Sequence, residues 1–290
     1  MAPVTARGTS ISLFLVNGTP DGLWLIEKSL WTGVALMAPR SRYSELRDRP
    51  EMTRPGVYVL IGPADSVAKT SRVYVGETDV LRMRLDQHQK TKEFWTRVVV
   101  FTAKDSNLNK AHVRYLEARL LSIAAEAKRV ELDNGAASTL PALSEADEAD
   151  MEAFLDDMLL IYPVLGVNAF ESADEASAAG AERLYLKRKD TKAEGHETSE
   201  GFVVYEGATA RRVPVPSSHQ STNELREVLV REGVLVPEGE ILRLTQDHVF
   251  GSPSASAAVL LGRPANGRIE WKNAQGVALK ALQERAIDGA

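Results

Sequence analysis

Short apolar runs broken by turn residues fill the first hundred positions, and longer runs with helical spacing follow. SISLFLV, from Ser10, alternates polar and apolar; NGTPDG reads as a turn; GLWLIE returns as a hairpin partner, so residues 10–37 are predicted to be strand-rich. SRYSELRDR predicts a short helix that stops before Pro50. GVYVLIG (56–62) and RVYVGET (72–78) predict a second hairpin with PADSVAKTS as its loop. TDVLRMRLDQHQ follows, with Thr78 as the expected N-cap and Leu81 and Leu85 on one face. FWTRVVVFTA is the next strand. AHVRYLEARLLSIAAEAKR then puts Val113, Leu116, Leu120 and Ile123 on one helical stripe. Between 56 and 128 the expected order is β-β-α-β-α.

Downstream, LSEADEADMEAFLDDMLLIYPVLGV is acidic first and apolar later, which predicts a helix up to Pro163. Residues 171–200 are rich in Ala, Glu, Lys and Ser and read as a linker, although RLYLKRK has strand character. GFVVYEG, STNELREVLVREGVL, ASAAVLLG and GRIEWKN predict a small mixed α/β domain after it. The fold class is α+β. The expected divisions are a β-rich extension (1–54), a central module (55–135), its helical extension (136–171), a linker (172–200) and an accessory domain (201–290).

Composition narrows the function. The 290 residues suit one large domain or a few small ones. No cysteine is present, which excludes disulfides and Cys-ligated zinc. The start, MAPVTARGTS, lacks an apolar signal core, and the longest apolar run, MLLIYPVLGV, is too short to span a bilayer; both point to a cytoplasmic protein with no membrane partner. The net charge of −5 makes any nucleic-acid surface a local feature. Asp79–Arg119 carries nine Lys/Arg against five Asp/Glu, whereas Glu145–Asp157 carries seven acids and no base. A basic module beside an acidic flank suits one face that meets phosphates. RLYLKRKDTK and Arg211-Arg212 form a second basic cluster.

GVY at 56–58, YVG at 74–76, and a following helix with Arg84 and His88 together resemble the GIY-YIG nuclease family over about residues 55–135. The C-terminal SPSASAAVLLGRPANGRIEWKNAQG resembles a domain of unknown function that accompanies such modules, over about residues 220–285, and implies no chemistry. The first resemblance implies a metal-dependent DNA endonuclease. Tyr58 and Tyr74 match the paired tyrosines that position or activate water. Arg84 matches the phosphate-binding arginine, suited to a bidentate grip. His88 matches a position that donates to or orients the nucleophile. Glu117 matches the single carboxylate that holds Mg²⁺ or Mn²⁺, a hard oxygen ligand for a hard ion. Asn134 matches an asparagine that follows that glutamate. One position departs: Glu77 stands where related nucleases often carry Lys, and a carboxylate there repels phosphate unless it turns away or joins the metal. That departure keeps open an alternative, a nucleic-acid-binding protein of the same fold with weak or absent catalysis. The large share of chain outside the module keeps open a regulatory interaction protein.

Overall fold

The computed structural model describes residues 8–65, 69, 71–135, 139–171, 182–198 and 201–288. The chain is mixed α/β and divides into two compact units, one formed by Met1–Asp65 with Lys69–Phe170, the other containing Glu171–Ala290. Among the described residues, no helix is long and apolar enough to cross a membrane.

The first unit is built on a seven-stranded sheet in the order β1-β2-β3-β6-β4-β5-β7. Its strands are β1 (Ile11–Leu15), β2 (Trp24–Lys28), β3 (Gly33–Pro39), β4 (Gly56–Gly62), β5 (Arg72–Thr78), β6 (Arg97–Ala103) and the short β7 (Glu131–Leu132). β7 runs parallel to β5; the other pairs are antiparallel. The 1–54 segment is therefore not a separate extension, because β3 pairs along its whole length with β6. The reason lies in GVALMAP: six of its seven residues are buried, so this strand needs a neighbour on each edge and cover on both faces.

Both faces of the sheet are covered. Val57, Val59, Val73, Val75 and Phe101 pack with helices α3 (Lys110–Ala127) and α4 (Glu145–Val164). Tyr58, Leu60, Val98 and Val100 pack on the other face with α1 (Tyr43–Arg47) and α2 (Leu81–Thr91). That two-sided burial explains why GVYVLIG is almost wholly apolar rather than alternating. β4, β5, α2, β6 and α3 follow one another in the chain. The N-cap of α2 is Val80, not Thr78: Thr78 ends β5 and its hydroxyl accepts from the Val80 N–H, turning the chain one step before the helix starts. Asn109 caps α3 by accepting from the N–H groups of Ala111 and His112, so His112 lies in the capped first turn. In α4, Ser144 is the cap and Glu145, Asp147 and Glu148 fill the first turn, where the helix dipole favours acids. At the far end of the acidic run, Asp157 pairs with Lys28 at 2.7 Å.

The second unit holds a four-stranded sheet, β14-β10-β9-β8, and a three-stranded one, β11-β13-β12, where β11 is Thr209–Arg211, β12 Leu235–Glu238, β13 Ile241–Leu244 and β14 His248–Phe250. β8 (Leu184–Arg188) and β9 (Thr191–Thr198) form a hairpin, and β9 pairs with β10 (Gly201–Val204). The expected 172–200 linker thus contains two strands of this sheet. Leu184, Leu186 and Ala193 alternate into the core beside Phe202 and Trp271, which outweighs the polar composition that read as linker. The rest of that stretch, 172–181, lies outside the described residues. Trp271 is fully buried, stacks near Phe202 at 4.5 Å and donates from Nε1 to Ser256 Oγ at 3.0 Å.

A candidate active site on the Tyr58 face of the sheet

Glycines set the space for this site. Tyr58 on β4 lies directly opposite Gly76 on β5, and Tyr74 lies opposite Leu60, so the tyrosines are diagonal neighbours on one face. Their rings sit 6.2 Å apart. A Cβ at Gly76 would stand 2.4 Å from the Tyr58 hydroxyl and 2.9 Å from the Tyr74 ring. A Cβ at Gly56 would meet the Phe101 carbonyl at 2.5 Å and Leu81 of α2 at 2.8 Å. The glycines that flank the two tyrosine tripeptides therefore allow α2 and the tyrosines to close onto the strands.

Helix α2 delivers the remaining groups. Leu81, Leu85 and His88 form its buried face. Tyr58 Oη and His88 Nε2 are 2.9 Å apart, and the His88 ring meets Tyr74 edge-on at 5.1 Å. The Arg84 guanidinium lies close to both tyrosine hydroxyls and donates to Gln87 Oε1 at 2.8 Å. One hydrogen lies between Tyr58 Oη and His88 Nε2, given by the hydroxyl in one imidazole tautomer and by the ring in the other. His88 Nδ1 is buried and has no hydrogen-bond partner among the described residues.

The electrostatics follow from burial. Tyr58 is fully buried, and burial, then the nearby Tyr74, push its pKa far up; Arg84 pulls the other way and Glu117 adds to the rise. Tyr58 holds its proton at any ordinary pH. Burial, followed by the charges of Arg84 and Lys92, lowers His88 to about 4, so it is neutral near pH 7. Burial works against the Arg84 cation, but its hydrogen bonds to Tyr58 and Tyr74 prevail and raise its pKa.

Glu117 is half-buried on α3, one turn after Val113 and one before Leu120 on the helix face turned to the sheet, and its charge reaches Tyr58. Glu77 binds Lys110 Nζ at 2.7 Å, so the carboxylate at the departing position has a cation of its own. Asn134 is placed differently from the others. Its Oδ1 accepts from Val75 N–H at 3.0 Å and its Nδ2 donates to the Val75 carbonyl at 2.8 Å, extending the ladder beyond β7 along the edge of β5. Both ends of its amide are engaged with the strand backbone.

Lys92 is a further member that the sequence reading passed over. Its Nζ lies 4.2 Å from the Tyr74 ring centre, and it forms an ion pair with Asp133, which also binds Arg72. Lys92 caps α2 in extended backbone, one residue past the helix, so the helical spacing of Arg84 and His88 does not place it. Among the described residues, no group of three or more His, Asp or Glu side chains converges as a metal cluster.

Residues 184–283 match a family described as a domain of unknown function, DUF4357. The match begins at the first residue of β8, spans both sheets of the second unit and covers the SPSASAAVLLGRPANGRIEWKNAQG stretch. No curated protein and no solved structure matches the chain.

Proposed function

We propose that residues 55–135 form a nuclease module of GIY-YIG type and that the protein is a metal-dependent DNA endonuclease. The observation that carries this reading is the convergence of Tyr58, Tyr74, Arg84 and His88, from two strands and one helix, into one group of hydrogen-bonded and closely packed rings with Arg84 beside it, on which the Glu117 carboxylate also acts electrostatically. A buried polar cluster of this kind is costly in a sheet–helix interface and is retained where chemistry needs it.

Within this reading the roles divide by exposure. Arg84 grips the scissile phosphate and stabilises charge that builds on its oxygens. Tyr74, half-buried beside Lys92, faces the attacking water and orients it through its hydroxyl oxygen. Tyr58 keeps its proton, and its hydroxyl ties His88 and the nearby Arg84 into one group. His88 stays neutral and orients Tyr58. Glu117, whose charge acts on Tyr58, fits a divalent ion because a single carboxylate is a hard oxygen ligand and Mg²⁺ retains most of its own waters. When bound there, Mg²⁺ or Mn²⁺ supplies Lewis-acid stabilisation of the phosphoryl oxygens. Asn134 braces β5 rather than touching substrate.

The full burial of Tyr58 favours a second reading, a nucleic-acid-binding protein without turnover. Nicking of supercoiled plasmid separates the two. The nuclease nicks with Mg²⁺ or Mn²⁺ and is silent in EDTA, and Glu117→Gln abolishes nicking while DNA binding in EDTA stays near wild type. Wild-type protein that binds plasmid but never nicks it overturns the nuclease.

A further inference from the structure

The basic cluster RLYLKRKDTK belongs to the β8–β9 hairpin, and the hairpin sorts its residues by face. Leu184, Leu186 and Ala193 go to the core. Tyr185, Lys187, Lys192 and Glu194 lie on the opposite face, with Lys187 directly across from Lys192 and Tyr185 across from Glu194. Lys272 joins the same face from beyond the β8 edge, through a bridge with Tyr185 that includes the Lys272 N–H to Tyr185 carbonyl bond at 3.0 Å. Like charges placed directly opposite on a sheet destabilise it. Here the two carboxylates nearby are taken by arginines: Glu194 pairs with Arg183 at 3.5 Å, and Glu270 with Arg188 at 2.7 Å and Arg263 at 2.6 Å. Lys187, Lys192 and Lys272 have no ion-pair partner among the described residues.

Two aromatic rings stand among these cations. Lys187 Nζ is 5.3 Å from the Tyr185 ring centre; Arg183 lies 5.1 Å over Tyr205, whose ring also stacks on His196 at 5.5 Å and whose hydroxyl meets His196 Nδ1 at 2.9 Å. Two grooves, of about 530 and 410 Å³, flank the ridge made by Tyr185 and Lys187; the first reaches Lys272 and the second reaches Lys192 and Tyr205. The three lysines step across strands that lie about 5 Å apart.

We infer that this face of the second unit binds a single strand of nucleic acid, its phosphates on Lys272, Lys187 and Lys192 and its bases against Tyr185 and Tyr205. The choice of nucleic acid as the polyanion rests on the nuclease reading above; the unpaired lysines and interleaved tyrosines are the independent observations. A linear row of cations beside aromatic rings is the arrangement that tracks a strand and stacks its bases. The match to a domain of unknown function assigns no such role.

The test uses the full-length protein and a fluorescent single-stranded oligonucleotide in EDTA, so that no cleavage intervenes. Replacing Lys187, Lys192 and Lys272 together with Gln should weaken binding at low salt by about tenfold or more. It should also flatten the plot of log affinity against log salt by about two units, since three fewer phosphates are neutralised. Lys280→Gln, a change at an exposed lysine paired with Glu284, should do neither. The melting temperature of the triple variant should hold or rise, because the Lys187–Lys192 repulsion is gone; should the triple variant fail to fold, Lys187→Gln alone must still weaken binding severalfold. Affinity within twofold of wild type, an equal loss in Lys280→Gln, or displacement of the strand by poly-glutamate at equal charge concentration each overturns the inference. Absent nicking with the binding loss intact would sink the nuclease reading and leave this face standing.

Discussion

The two units gather their buried polar side chains differently. In the second unit Tyr205 and His196 form one side-chain pair at 2.9 Å and Trp271 donates to Ser256, but several of the others are tied to backbone. Arg226 gives its guanidinium to the carbonyls of Val259, Arg211 and Arg212; Ser256 donates to the Pro253 carbonyl; Asn273 accepts from the N–H groups of Gln275 and Val277. Such bonds staple loops and helix ends, and their partners could not serve a substrate. On the Tyr58 face of the first unit the polar side chains bond to one another, and one imidazole nitrogen is left without a partner. A brace satisfies the backbone; a reactive group leaves side-chain atoms poised. On the proposed nuclease reading, the four-membered group on the Tyr58 face is where chemistry would occur, and the second unit contributes a binding face.

Matched glycine changes give that contrast its largest test. Gly76→Ala puts a methyl 2.4 Å from the Tyr58 hydroxyl, and Gly195→Ala puts one 2.2 Å from the Val203 carbonyl in the second unit. Each overpacks a buried site and should cost roughly 1–3 kcal/mol or more in stability. Only Gly76→Ala should also abolish metal-dependent nicking, measured at a temperature where both variants remain folded. Equal loss of nicking in both would erase the distinction between the units.

Arg84 comes next in size. An interaction made mainly in the transition state appears in rate more than in binding. Arg84→Ala should lower the single-turnover rate about 10²-fold, with a smaller change in DNA affinity. Arg84→Lys should restore binding better than rate, since an ammonium keeps the charge and loses the fork. Loss confined to affinity would place Arg84 in a binding surface like that of the second unit.

Much of this was legible from local pattern. The strands over GVYVLIG and RVYVGET and the helix after them followed from their apolar runs and from the helical spacing of Leu81 and Leu85. Pairing between distant strands was not. Nothing local in GVALMAP specifies β6 as its neighbour, so residues 1–54 read as an extension. RLYLKRK was legible as a strand but not as part of a domain: Leu184 and Leu186 alternate with Tyr185 and Lys187, yet the polar residues around them gave the stretch the composition of a linker. Lys92 was hidden because its role depends on the Tyr74 ring, contributed by another element. Asn134 was legible as a residue type but not as a role, since only the register shows its amide against Val75.

A pH series sharpens the same contrast through His88. Its folded pKa of about 4 lies below the ordinary histidine value, so the unfolded chain binds the proton more readily. As pH falls from about 6.5 toward 4, protons stabilise the unfolded state, and the folded state loses up to about 3 kcal/mol from this group; below about 4 the loss levels off. His88→Gln removes the titration. Unfolding free energies of wild type and His88→Gln, measured from pH 7.5 to 4.5, should therefore diverge by that order, with wild type losing more. Parallel curves would mean that His88 is open to water and that the cluster is not dry.

The smallest expected effect belongs to Asn134, and it decides whether that residue is a brace or part of the chemistry. Two hydrogen bonds to a partly buried strand edge contribute about 1 kcal/mol each. Asn134→Ala should thus cost about 1–2 kcal/mol in stability and change the rate of a still-folded protein by no more than a few fold. Asn134→Asp gives a sharper outcome. The aspartate can still accept from the Val75 N–H, but it presents an oxygen to the Val75 carbonyl where Nδ2 donated at 2.8 Å. That clash of acceptors should make Asp at least as destabilising as Ala near pH 7, and protonation of the new carboxyl in acid should relieve part of it, because the acid form regains a donor. A brace predicts losses in stability that track this order, with rates nearly constant once the fold is held by low temperature. A group that touches substrate predicts the reverse: rates that fall about tenfold or more in Asn134→Ala while the melting temperature barely moves.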